Sequence, residues 1–233
     1  MTDRFQNIYA NHADQYEAFV SREDYQGNIL RALSDIRPLD GLEVVEFGAG
    51  TGRLTRLLAP VVKSIRAYDA SQAMLDVAEK TLRASGTSNW TLAVGDNRRL
   101  PAEDASADLV IEGWSFGHLT GWYPDTWHDE VNLALFEMRR VLRRGGVAIL
   151  LETQTTGSET PHPPTEGLAD LYHFWERDHG FAAKWIRTDY QFASPQEAES
   201  LTRFFFGDQL PDRVVRENWV ILPECTGIWW RTM

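Results

Sequence analysis

The sequence predicts an α/β fold, with a mostly parallel sheet covered by helices on both faces. Three observations carry this. Short aliphatic or β-branched runs recur at spacings of roughly 20 to 30 residues, with helical patterns between them. The runs are too apolar to leave one face in water, as is usual for strands buried on both sides. A glycine-rich turn joins the first run to a helix, which is where open α/β sheets bind their ligands.

Within the first 30 residues, Tyr9, Tyr16, Phe19 and Tyr25 stand at loose helical intervals and predict two short helices, the second over about 24–35. Pro38 and Gly41 punctuate the chain. Residues 42–47 read as the first strand, 48–52 as the turn and 53–59 as a helix. A second strand, 64–68, ends at Asp69, and Ser71 is placed to cap a helix over 72–84. Strands follow at 91–94 and 108–112. The amphipathic stretch 133–142 predicts a helix stopped by Gly145 and Gly146, before a fifth strand at 147–152. Three prolines and Gly157 make 153–166 a loop. Beyond it we expect a helix over 168–179, a sixth strand over 185–192, a helix over 195–206 and a final strand pair over 218–230, bent at Pro223 and Gly227.

Composition narrows the function. The chain has 233 residues, enough for one large α/β domain or two small ones. With 34 acidic against 23 basic residues its net charge is −11, which disfavours non-specific nucleic-acid binding. A single cysteine, Cys225, excludes an internal disulfide, a Cys-only zinc site and a protein-held iron–sulfur cluster. That fits a reducing, cytoplasmic setting. The N-terminal residues lack the apolar stretch of a secretory signal, and no apolar run approaches the roughly 20 residues of a membrane span, so no membrane partner is expected. Nine tryptophans suggest aromatic walls or core filling.

Chemistry concentrates at the strand ends. Glu46 is followed by Gly48, Gly50 and Gly52, where a missing Cβ lets the backbone turn sharply and come close to a ligand. Asp69 closes the second strand, where a carboxylate can accept both hydroxyls of a ribose. Asp96 follows the third, where it can accept from an exocyclic adenine amine. Three acids at successive strand ends beside a glycine turn describe a nucleoside pocket. A nicotinamide dinucleotide fits less well: its fingerprint is Gly-x-Gly-x-x-Gly, the third glycine here comes one position early, and Asp96 has no role with that ligand.

These residues together resemble the class I S-adenosylmethionine-dependent methyltransferases, particularly the small-molecule enzymes of the methyltransferase type 11 kind. The resemblance covers about residues 9–152. It rests on Glu46-Phe-Gly48-Ala-Gly50-Thr-Gly52, Asp69, Gly95-Asp96, the segment 135–146 ahead of the fifth strand, and an opening through Tyr9 and Tyr16 that looks like the tyrosine-bearing lid of many members. It implies one domain over 1–233 with a Rossmann-like, seven-stranded sheet and a reversed last strand. An N-terminal helical lid over about 1–36 and a cap or insert over about 153–184 would accompany it. It implies S-adenosylmethionine as cofactor, with Glu46, Gly48, Ala49, Gly50 and Gly52 by its methionine part. Asp69 and Ala70 would lie at the ribose, Met74 near the adenine, and Gly95, Asp96 and Asn97 at the adenine edge.

The chemistry implied is in-line methyl transfer from a sulfonium, for which the enzyme supplies position and a dry pocket. Aromatic faces suit a sulfonium cation, and Tyr9, Tyr16 and Trp114 are the candidates. By the family's geometry the loop from Glu112 through Trp114 to His118 faces cofactor and acceptor. His118 is the candidate base, needed for an oxygen nucleophile more than for a nitrogen. Histidines 12, 128, 162, 173 and 179 lack metal-binding spacing, so no metal is expected. Tyr172, Trp175 and their aromatic neighbours are expected to wall the acceptor pocket with the N-terminal helices. The partner expected is a small-molecule methyl acceptor, and the chain is a monomer or a homodimer, with 219–230 packing internally or on a second copy. A protein or RNA methyltransferase, or a non-catalytic cofactor-binding module, are the alternatives; the acidic charge counts against RNA.

Overall fold

The computed structural model describes residues 2–233. Three helices open the chain: α1 (Thr2–Asn11), α2 (Ala13–Val20) and α3 (Asn28–Ile36). The third starts later than its apolar pattern suggested because Asp24 acts from outside it. Its carboxylate accepts from the backbone N–H of Asn28 at 2.7 Å and of Ile29 at 3.0 Å, satisfying the first free donors of the helix. Then come β1 (Glu43–Phe47), α4 (Arg53–Leu58), β2 (Ser64–Asp69), α5 (Gln72–Ala84), β3 (Trp90–Val94), β4 (Ala107–Gly113), α6 (Gly117–Trp122), α7 (Trp127–Val141) and β5 (Leu142–Thr156). The last third holds α8 (Glu166–His173), a π-helical turn (Phe174–Asp178), β6 (Ala182–Arg187), β7 (Tyr190–Gln191), α9 (Pro195–Phe206), α10 (Gln209–Arg216), β8 (Ile221–Leu222) and β9 (Glu224–Thr232).

Seven strands form one sheet in the order β3-β2-β1-β4-β5-β9-β6. Only β9 runs against its neighbours, pairing antiparallel with both β5 and β6. The last strand is thus the reversed one, and it lies between two others. Strand order reverses between β1 and β4, which pair in parallel from Val44↔Leu109 to Phe47↔Glu112. A crevice opens at such a switch point.

Alternation along each strand fills two cores. Val45, Phe47, Val110, Ala148 and Leu150 point to one face of the sheet, and Val44, Leu109, Ile111, Ile149 and Leu151 to the other. A third cluster joins α2 to the C-terminal elements: Phe19 stacks on Tyr190 at 4.6 Å and on Phe205 at 4.8 Å, over Val214 and Leu222. Residues from 190 onward thus pack against α2, while Lys184 and Arg187 of β6 reach α3, Lys184 donating to the Ala32 carbonyl at 3.0 Å and the Arg187 carbonyl accepting from the Asn28 side-chain amide at 2.8 Å.

Several expectations are corrected. Gly145 and Gly146 do not stop a helix; α7 ends at Val141, because Leu142 is already extended and pairs with Ala107, and β5 runs through both glycines. The strand expected over 185–192 is split, its end forming a separate ribbon of β7 with β8. Tyr172 and Trp175 do not wall a pocket. They are buried against Trp229 beneath the sheet, at ring separations of 4.5 and 5.1 Å, and the Tyr172 hydroxyl donates to the Thr153 carbonyl. Of the stretch 219–230, residues 224–229 pack internally, with Trp229 inside the sheet, while Val220 and Ile221 are exposed. Among the described residues no helix is long and apolar enough to cross a membrane.

Candidate functional site

A cleft of about 530 Å³ opens at the C-terminal ends of β1, β2, β3 and β4 and is roofed by α1, α2 and α6. Of the residues singled out in the sequence, Tyr9, Tyr16, Gly48, Gly50, Asp69, Ala70, Met74, Asp96, Asn97, Trp114 and His118 line it. Glu46, Ala49, Gly52, Gly95 and Glu112 stand behind its surface.

The floor is built around Gly48 and Asp69. Gly48 has φ +64°, and a Cβ there would lie 2.5 Å from the Ser115 side chain, so the loop after β4 can close on the turn after β1 only over a glycine. Asp69 ties the two neighbouring turns together. One carboxylate oxygen accepts from Gly50 N–H and the other from Ser71 N–H, both at 2.8 Å. Burial raises its carboxyl pKa, while these two backbone donors pull it down. Each oxygen keeps a lone pair for a further donor. Ser71 caps α5 through Met74 N–H and donates to the Tyr9 carbonyl at 3.0 Å, which fixes α1 over the cleft.

The adenine-edge candidates separate. Asp96 sits at the rim, half-exposed, with both oxygens engaged by Arg98. The hydrogen bonds from Arg98 hold its carboxyl below the usual range. Asn97 is different. Its amide nitrogen reaches Ser115 Oγ at 3.3 Å, and its carbonyl oxygen is buried with no partner among the described residues. A buried acceptor left unpaired costs about 1–3 kcal/mol. Asn97 Oδ1 is thus an acceptor left free on a residue that lines the cleft. Gly95 serves packing instead, since a Cβ there would lie 2.9 Å from Leu100.

Two buried acids shape the wall. Glu112 accepts from Ser115 N–H, Ser115 Oγ–H and Phe116 N–H, and Glu152 accepts from Gly117 N–H at 2.9 Å. They hold the loop that carries Trp114 and His118 and do not reach the cleft themselves. Burial raises both; Glu152 is pushed up to about 7, and the nearby Glu152 charge raises Glu112 further. Glu46 is likewise buried, accepts from the Thr55 hydroxyl and is pushed up to about 8, chiefly by desolvation. Trp114 adopts φ +58°, a left-handed conformation costly for a bulky residue, with the Arg53 guanidinium stacked 3.3 Å above its ring. Arg53 is in turn ion-paired to Glu23.

Across the cleft stands an aromatic wall. His118 Nε2 lies 2.6 Å from the Tyr9 hydroxyl, and its ring stacks on Trp122 at 4.9 Å. Burial pushes the imidazole down to about 4, so the ring is neutral at pH 7. Tyr9 is raised by burial and stays a phenol. Sequence reasoning missed Arg98, Ser115, Trp122 and Tyr123, which also line the cleft. The four-residue spacing from His118 to Trp122 was a usable signal, had the glycine-bearing α6 been read as a helix. No group of three or more His, Cys, Asp or Glu side chains among the described residues is placed to hold a metal ion.

Comparison with known proteins gives this geometry its context. The methyltransferase domain family matches residues 45–150. A demethylmenaquinone methyltransferase of Staphylococcus aureus is 30% identical over 152 residues, covering 64% of this chain and 58% of that protein. The chain thus spans less than two thirds of that relative's length. Among solved structures, a putative type II methyltransferase from Anaeromyxobacter dehalogenans shares the fold with a TM-score of 0.60 at 18% identity, covering 91% of this chain and 97% of the other. The phosphoethanolamine N-methyltransferase 1 of Haemonchus contortus, solved with phosphoethanolamine and S-adenosylhomocysteine, gives 0.56 at 18% identity, covering 97% of this chain and 48% of that one.

Proposed function

We propose that this chain is a class I S-adenosylmethionine-dependent methyltransferase and that it methylates a small-molecule acceptor in the cleft between Asp69 and the Tyr9–His118 wall. The observation that carries the reading is the buried, unpartnered Asn97 Oδ1 beside a cleft whose floor presents the Asp69 carboxylate. An adenosine offers what both lack: an exocyclic amine for the amide oxygen and a pair of hydroxyls for the carboxylate.

S-Adenosylmethionine supplies, when bound, an electrophilic methyl group on a sulfonium. The chain's own residues then have separate tasks. Asp69 keeps the Gly50 and Ser71 turns in place and would accept from the ribose hydroxyls with its remaining lone pairs. Asn97 would accept from the adenine amine, and Met74, which lines the same cleft, would pack against the base. Tyr9, Tyr16 and Trp114 turn aromatic surface toward the cleft, which favours a cation and excludes water. His118, neutral and bonded at Nε2 to a phenol, can exchange that phenol for the hydroxyl of an entering acceptor and take its proton.

A small planar acceptor suits the wall of Tyr9, His118, Trp122 and Tyr123. Similarity to a demethylmenaquinone methyltransferase supports the same class. The test is transfer of a labelled methyl group from S-adenosylmethionine to a panel of phenols, hydroquinones and small amines. Turnover of a hydroxyl-bearing ring that falls by about 10²-fold or more in His118→Ala, with cofactor affinity intact, supports the reading. Transfer confined to proteins or RNA overturns it, as does failure to bind S-adenosylhomocysteine.

A further inference from the structure

We propose that two copies of this chain pair through the outer face of α7, as antiparallel helices related by a two-fold axis. The inner face of α7 is spent on the core through Val131, Ala134, Leu135 and Met138. Its outer face should then be polar, and its middle is not. Phe136 is 69% exposed, more than any other large apolar side chain described, and Leu133 is 51% exposed. They stand one turn apart on one stripe, beside a groove of about 790 Å³ that Phe181 and Arg231 close on the far side.

The ends of the stripe carry opposite charges. Asp129 lies in the first turn and Arg139 in the last, and neither is in an ion pair among the described residues. Their neighbours Glu130 and Arg140 are paired within the chain, to Arg98 and to Glu137. The helix dipole accounts for the signs at the two ends but not for an exposed Phe and Leu between them. Self-pairing accounts for both. In a two-fold contact residue i meets j and j meets i, so each favourable pair occurs twice. An axis passing near residue 134 sets Asp129 against the partner's Arg139 and Phe136 against the partner's Asn132 and Leu133. The charges lie ten residues, about 15 Å, apart along the helix, so both pairs form while the apolar centre closes. A parallel pairing would oppose like charges instead.

The experiment is sedimentation velocity on the full chain across the micromolar range, the affinity reached by small interfaces. The mass is expected to rise from 26.6 kDa toward twice that value with concentration. Phe136→Asp is expected to stay monomeric, with Phe136→Ser as the milder variant should the charge disturb α7. Asp129→Arg alone should also abolish pairing by opposing two arginines, and Asp129→Arg with Arg139→Asp should restore it. A parent chain monomeric throughout, a dimer that survives Phe136→Ser, or a double reversal that stays monomeric overturns the proposal.

Discussion

Replacing Asp69 by alanine tests the cleft at its centre. The carboxylate is expected to accept two ribose hydroxyls, and hydrogen bonds to a charged group contribute about 1.5–3 kcal/mol each. Taking the lower figure twice gives about 3 kcal/mol, or a loss of affinity of about 150-fold at about 1.4 kcal/mol per tenfold. The Gly50 and Ser71 amides lose their acceptor as well, so this is a lower bound. Asp69→Asn keeps one carbonyl oxygen for one of those amides and turns an NH2 toward the other, so its loss should be smaller. Isothermal titration with S-adenosylhomocysteine measures both without turnover. A 2′-deoxy analogue completes a thermodynamic cycle: it should bind the parent more weakly, yet bind Asp69→Ala no worse than the full nucleoside does. A folded Asp69→Ala protein that binds within threefold of the parent, or an analogue penalty equal in the two proteins, refutes the ribose assignment. Because burial raises this carboxyl, affinity should also begin to fall at a higher pH than an ordinary aspartate would dictate.

Two further predictions concern stability. Trp175→Ala should cost about 3–5 kcal/mol in urea unfolding, because it empties a fully buried site against Trp229, while the KM for the acceptor stays put; a raised KM at unchanged stability would return Trp175 to the acceptor pocket. Glu46 binds its proton more tightly in the folded chain, at about 8 against an ordinary 4.5. Its contribution is whole below about 4.5 and declines by about 1.4 kcal/mol per pH unit as pH rises to about 8. Glu46→Gln should therefore flatten the fall of the melting temperature between about pH 4.5 and 8, leaving the part due to the other raised carboxyls such as Glu152 and Glu112; an unchanged slope contradicts this.

How much of this was legible in the sequence follows from how local each signal is. The helices over 72–84 and 195–206 have the expected bounds; Ser71, the expected cap, and Ser194, which the structure adds, each bind the third amide along, a bond fixed by neighbours in the chain. The glycine turn and Asp69 were legible for the same reason. What failed was non-local. Nothing near Trp175 says which side of a sheet it will meet, and that is decided by Trp229, more than fifty residues on. Nothing near Gly145 says that Leu142 already belongs to a strand, which the Ala107 pairing decides. Asp96 and Asn97 looked equivalent until Arg98 took one of them. The short α6 and α10 carry two glycines and a proline respectively, and are held by their packing more than by propensity.

The place of β9 has a consequence for the order in which the molecule assembles. Strands β1 to β5 are gathered from one continuous stretch, so the half of the sheet that bears the cleft can condense from comparatively near neighbours. Strand β6 has no partner in that sheet except β9 and must idle until the chain has passed through two more helices and a small ribbon. Contacts closed over such distances form slowly. Until they do, one margin of β5 is bare, a row of unmet amides and carbonyls inviting any stray strand. The last strand to be made thus seals the sheet, covering the open margin of a half that is already assembled.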